Sequence, residues 1–113
     1  MIHWHTVPVG GGRLASIPDE LPNLEPSRSL RQLELPLHLE WSRTDRHVNL
    51  ADRRERARVY EAVLREGRPA DIADIVDGAL LADLWDDLVL PRRIRDAWQP
   101  LIDEVHGGGS RRS

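Results

Sequence analysis

The side chains that could do chemistry in this chain are carboxylates, guanidinium groups and a few imidazoles, and their spacing decides which chemistry is open to them. From Pro69 to Leu90 there are six acids, Asp71, Asp74, Asp77, Asp83, Asp86 and Asp87, and no basic residue. Asp71, Asp74 and Asp77 recur every three residues, so a helix could bring them to one shared cation, but neither the oxygen-rich loop nor the glycine of a calcium site accompanies them. The five histidines stand at 3, 5, 38, 47 and 106. His3 and His5 flank Trp4 and could chelate a metal only weakly, because two imidazoles fall short of a closed site. His38 and His47 have no third catalytic group in register with them. No HExxH pair, glycine-rich phosphate loop at a strand-helix junction or nucleophile elbow is present, and Gly10, Gly11 and Gly12 precede no helix that could make them a phosphate cradle. The absence of cysteine removes thiolate catalysis, disulfides and Cys-bound metal. The expectation is a protein that is not an enzyme, holds no metal or cofactor, and works by binding.

Binding then turns on charge. All sixteen basic residues are arginine, which suits planar, bidentate partners but is also what a GC-rich bacterial genome would encode. The formal charge of -3 conceals an acidic centre between two basic flanks, Arg43 to Arg68 and Pro91 to Ser113. Opposite charges attract over a Debye length of about 8 to 10 Å, so the default expectation is that the flanks neutralise the centre within one fold. Otherwise the acids face water or another molecule.

The elements that must position these groups follow from periodicity. In Asp77 to Leu90 the residues Leu80, Leu81, Leu84, Trp85 and Leu88 recur at helical spacing, which predicts a central helix with an apolar stripe beside Asp83, Asp86 and Asp87. An earlier helix is capped by Asn49 or Asp52, carries Val59, Tyr60, Val63 and Leu64 on one face, and stops at Gly67. Its first turns hold Arg53, Arg54, Arg56 and Arg58, where the helix dipole disfavours cations. Pro69 starts a short helix that turns Ile72, Ile75 and Val76 inward. The last helix follows Pro91 and buries Ile94, Ala97, Trp98, Leu101, Ile102 and Val105, with Pro100 on its outer side.

The β signal is weaker. Leu33, Leu35, Leu37, Leu39 and Trp41 alternate with polar residues or proline, which reads as an edge strand, and His47 to Leu50 could close a small hairpin with it. Met1 to Gln32, with its glycine triplet and with Pro18, Pro22 and Pro26, reads as a flexible arm. At 113 residues and 40 % hydrophobic the chain supports one core. The expected architecture is mostly α: a compact bundle of about four helices with a possible short β-hairpin, comprising an arm at 1–32, a helical domain at 33–106 and a disordered tail at 107–113. No apolar run approaches the roughly 18 residues of a membrane span, and the N-terminus lacks the pattern of a signal peptide. A cytoplasmic protein is expected.

Two binding classes fit. Helix, turn, helix, turn, helix from Ala57 to Trp85 has the dimensions of a small DNA-binding regulator of the helix-turn-helix type, with Arg53, Arg54, Arg56 and Arg58 on phosphates. The helix that would enter the groove is the acidic one, which the phosphate backbone would repel. A protein-binding surface uses the acids directly, pairing them with arginine or lysine of a partner, with Trp41 as the tryptophan best placed for contact.

The run from RVYEAVLREG through DIADIVDGALLADLWDDLVLP to AWQPLID resembles small actinobacterial proteins encoded beside nucleotidyltransferase toxins of the AbiEii and MenT type, over roughly Leu37 to Glu104. The resemblance implies an antitoxin whose partner is the cognate nucleotidyltransferase toxin. It makes Trp41, Asp71, Asp74, Asp77, Asp83, Asp86 and Asp87 the candidate contacts with that toxin.

Overall fold

The glycines and prolines of the first thirty residues build structure instead of preventing it. In the computed structural model, which describes residues 1–107, β1 (Trp4–Gly10) and β2 (Arg13–Pro18) pair antiparallel, with Thr6 opposite Ser16 and Val7 opposite Ala15. Gly10, Gly11 and Gly12 form the turn with φ of 97°, 62° and 74°, a left-handed run that only glycine adopts without a steric penalty. Pro18 ends β2, the Pro22 carbonyl accepts the Gly78 N–H, and Pro26 opens the short helix α1 (Pro26–Ser29). Pro18 and Pro26 therefore stand at element boundaries, where a missing N–H costs nothing. Ala15 and Ile17 are part of the core. The expectation of a flexible arm is overturned: burial of these side chains compensates the ordering of the segment.

The second β element is shorter than the alternation suggests. β3 (Gln32–Glu34) pairs antiparallel with β4 (His47–Asn49), Leu33 lying opposite Val48. Leu35 still donates its N–H to the Arg46 carbonyl, and beyond it the chain leaves the sheet, because Pro36 cannot donate to a ladder. The Pro36 carbonyl instead accepts the Leu39 N–H and the Arg46 guanidinium. Leu35 and Leu39 are buried, Trp41 is half-buried, and Leu37 is 83 % exposed. Leu37 is thus the residue that breaks the expected single apolar face.

Four helices carry the rest. In α2 (Arg53–Glu66) the Asp52 carboxylate caps the start by accepting the Glu55 N–H, and Gly67 ends the helix. Pro69 opens α3 (Pro69–Ile75), in which Ile72 and Ile75 are buried. α4 (Gly78–Leu84) is capped by Asp77 and gives way to a 3-10 turn at Trp85–Asp87. The central helix is therefore shorter than expected. Asp86 and Asp87 would sit at its C-terminal, negative end, and Pro91 disfavours helical backbone at Leu90. The Arg95 guanidinium takes the freed carbonyls of Trp85 and Leu88. α5 (Arg92–Gly107) is continuous through the exposed Pro100 and buries Ile94, Trp98 and Ile102, while Val105 is exposed against expectation.

Among the described residues the result is a mixed globule of five helices and two small antiparallel sheets around one core, where the sequence suggests a bundle of about four helices. Trp85 and Trp98 lie at its centre with Tyr60. The expected disordered tail lies outside the described residues, apart from Gly107 at the end of α5. Among the described residues no helix is long and apolar enough to cross a membrane.

Candidate functional site

The six acids do not form one surface. Asp77 is 6 % exposed, and its two oxygens accept the Leu80 N–H (3.1 Å) and the Leu24 N–H (2.8 Å). Its own N–H donates to the Tyr60 hydroxyl at 3.0 Å. Asp77 is a fastener between α4, α2 and the N-terminal segment, and is removed from the set of candidate contacts. Asp71 accepts the Arg68 N–H at the start of α3 and lies 2.6 Å from His38 Nε2. Asp74 is paired with both Arg28 and Arg31. Asp71, Asp74 and Asp77 thus face three different neighbours, and the shared-cation reading has no geometry behind it.

Asp83, Asp86 and Asp87 remain together. Arg53, in the first turn of α2, reaches across to donate to Asp83 (3.2 Å) and to Asp87 (3.1 Å). These two carboxylates, Asp87 foremost, raise the Arg53 guanidinium above its usual range by hydrogen bonding to its charged form. All three acids are exposed, and Asp86 makes no ion pair among the described residues. Val89, just beyond them, is 77 % exposed. The outcome is an acidic ridge with an apolar edge, and it accounts for the cations at the start of α2: one of them ties the ridge down.

The four arginines of α2 have four different environments. Arg53 belongs to the ridge. Arg56 is 6 % exposed, donates Nη1 to the Leu50 carbonyl at 2.8 Å and is closed to any phosphate. Arg56 therefore leaves the candidate nucleic-acid set, the inward face of α2 having claimed it. Arg54 and Arg58 are exposed and line a groove of about 460 Å³ between α2 and the loop at 40–43.

Trp41 forms the other wall of that groove. Its indole Nε1 donates to the Asp45 carbonyl at 3.2 Å, and the Arg43 guanidinium stands over the ring, 5.3 Å from its centroid. Glu55 holds Arg43 there at 2.5 Å. Trp41 is thus separated from the acids with which the sequence groups it and is joined to Arg54 and Arg58 instead. Sequence reasoning missed Arg65, which lines the same groove. The signal is there to find, since 54, 58, 61 and 65 follow i, i+4, i+7 and i+11 on one face of a helix.

Ridge and groove adjoin. Arg53 points to the ridge and Arg54 to the groove, while Glu61 of the groove accepts the Val89 N–H at 2.8 Å. Among the described residues no group of three or more histidines and acids is arranged to hold a metal ion. Comparison of the chain with protein-family profiles, with curated proteins and with solved structures gives no match.

Proposed function

We propose that this chain is an antitoxin-like protein that binds and neutralises a nucleotidyltransferase toxin encoded beside it. The observation that carries the reading is the ridge of Asp83, Asp86 and Asp87 edged by exposed Val89. A toxin that transfers nucleotides to RNA needs a cationic cleft, and carboxylates set on a rigid turn meet arginine or lysine there with good geometry and fast encounter. Because Arg53 neutralises part of the ridge in the free protein, a partner must offer at least as good a cationic lining. Trp41, Asp71 and Asp74 are set aside as first contacts because they do not belong to the ridge: Asp71 faces His38, Asp74 faces Arg28 and Arg31, and Trp41 lines the groove.

The test is co-expression with the neighbouring gene product, with growth and size exclusion as readouts. The neighbour is expected to be toxic alone and to form a harmless complex with this protein. Reversing Asp83, Asp86 and Asp87 to arginine should abolish both complex and rescue while leaving the fold intact. Full neutralisation by that variant would refute the ridge as the contact. The helix-turn-helix alternative loses Arg56 to the core and Arg53 to the ridge, which leaves too few of its four arginines for ordinary duplex readout.

A further inference from the structure

We propose that the groove between Trp41 and α2 is a binding site for single-stranded nucleic acid, separate from the acidic ridge and independent of the antitoxin reading. The cationic wall is a stripe, since Arg54, Arg58 and Arg65 share one face of α2. At 1.5 Å per residue, Arg54 and Arg58 are about 6 Å apart along the axis, and Arg54 and Arg65 about 16 Å. Among the described residues none of the three makes an ion pair or a side-chain hydrogen bond.

The acids of the groove are occupied, by contrast. Asp52 caps α2, Glu55 holds Arg43, and Glu61 accepts the Val89 N–H. Only the Glu40 carboxylate stands without such a partner, so the lining, formally neutral with four arginines and four acids, keeps three guanidinium groups with their donors uncommitted and available to an anion. Arginine whose guanidinium is free to hydrogen-bond in a planar fork is suited to phosphate.

The opposite wall supplies what an acidic peptide would not use. Trp41 is held by its hydrogen bond to the Asp45 carbonyl and presents a ring face that already carries a planar cation, Arg43. A nucleobase fits the same stacking geometry. On binding it takes the place of the guanidinium over the ring, while Arg43 stays paired with Glu55 and turns its remaining N–H groups to the adjoining phosphate. Stacking on an aromatic ring beside a cationic track is the general device for holding single strands, and it tolerates any base. The length of the arginine stripe selects a strand over a lone nucleotide, because one phosphate group engages only one end of it.

The experiment is fluorescence anisotropy with a labelled ten-nucleotide oligo-dT or oligo-rU and the full chain, over a salt series. Binding should weaken as salt rises, with a log-log slope near about -2 for three phosphate contacts to a single strand. Replacing Arg54, Arg58 and Arg65 together by alanine should weaken binding at least tenfold and flatten the slope. Trp41→Ala should weaken it about tenfold, and Trp41→Phe should restore most of the loss, which a merely structural role for the indole would not predict. Circular dichroism melts of each variant identify any that fail to fold, and the exposed Arg54→Ala and Arg58→Ala single variants then carry the test. No binding at low salt, competition by a mononucleotide as effective as by the oligonucleotide, or tighter binding of a polyglutamate peptide would each overturn the proposal.

Discussion

Tyr60 is the only tyrosine in the chain, and it is fully buried with its hydroxyl accepting the Asp77 N–H. Burial is the main reason its phenol is pushed up from 10.0 to about 12, since the ionised form would lie in the core. Between those two values the unfolded chain releases a proton that the folded chain keeps, so stability is full below pH 10 and falls as pH rises toward 12. The loss should approach about 3 kcal/mol. Tyrosinate absorbance reads this one residue: the folded protein should titrate near pH 12, and a midpoint near 10 with helicity intact would refute the burial argument. Asp77→Ala leaves the Leu24 and Leu80 N–H groups without their acceptor, one of them a helix cap, and should cost about 2 to 4 kcal/mol in a denaturant melt. Nothing in the sequence distinguishes Asp77 from its five acidic neighbours except the glycine that follows it. That Asp-Gly pair is a helix boundary, and a boundary aspartate is a cap before it is a ligand.

At the scale of elements, helices with uninterrupted spacing are legible in the sequence and irregular ones are not. α2 and α3 lie where caps, apolar period and proline place them. α4 was expected to run to Leu90 because its apolar period continues through Trp85 and Leu88, yet period says nothing of backbone, and the 3-10 turn keeps Trp85 and Leu88 inside by another path. The N-terminal hairpin is legible in principle, since a glycine triplet following the β-branched run of Thr6, Val7 and Val9 is a hairpin signal; the proline count masks it. Gly78 shows how tightly that segment docks on α4. A Cβ there would lie 2.6 Å from Leu21 Cβ and 2.9 Å from the Pro22 carbonyl oxygen. Gly78→Ala, which helix propensity alone would favour, should instead destabilise by about 1 to 3 kcal/mol. An unchanged or raised melting temperature would mean that the docking is looser than this.

For the whole molecule, the sequence gives the charge blocks but not their pairing. The acidic centre meets three arginines, Arg28 of α1 and Arg31 just beyond it for Asp74 and Arg53 of α2 for the ridge, because folding brings together residues 30 to 46 positions apart. These pairs are exposed, so each is worth little to stability, and their effect is to decide which charges are left over. Among the charges left over are Asp86 on the ridge and Arg54, Arg58 and Arg65 along the groove. The core depends on the first strands as well as on the helices. Deleting residues 1–18 removes Ala15 and Ile17 from it and uncovers part of α5, and should abolish the cooperative thermal transition or lower its midpoint by well over 10 °C. A deletion variant that melts like the full chain would restore the view of this segment as an arm.

The docking of β1 on α5 also sets a timetable. β1 is synthesised well before α5, the helix on which it packs. Synthesis at about 5 to 20 residues per second separates the two by on the order of 4 to 20 s, and the hairpin, marginal by itself, must wait through that interval. The fold is therefore complete only once α5 has left the ribosome. Any partner that needs the finished surface meets it with a built-in delay.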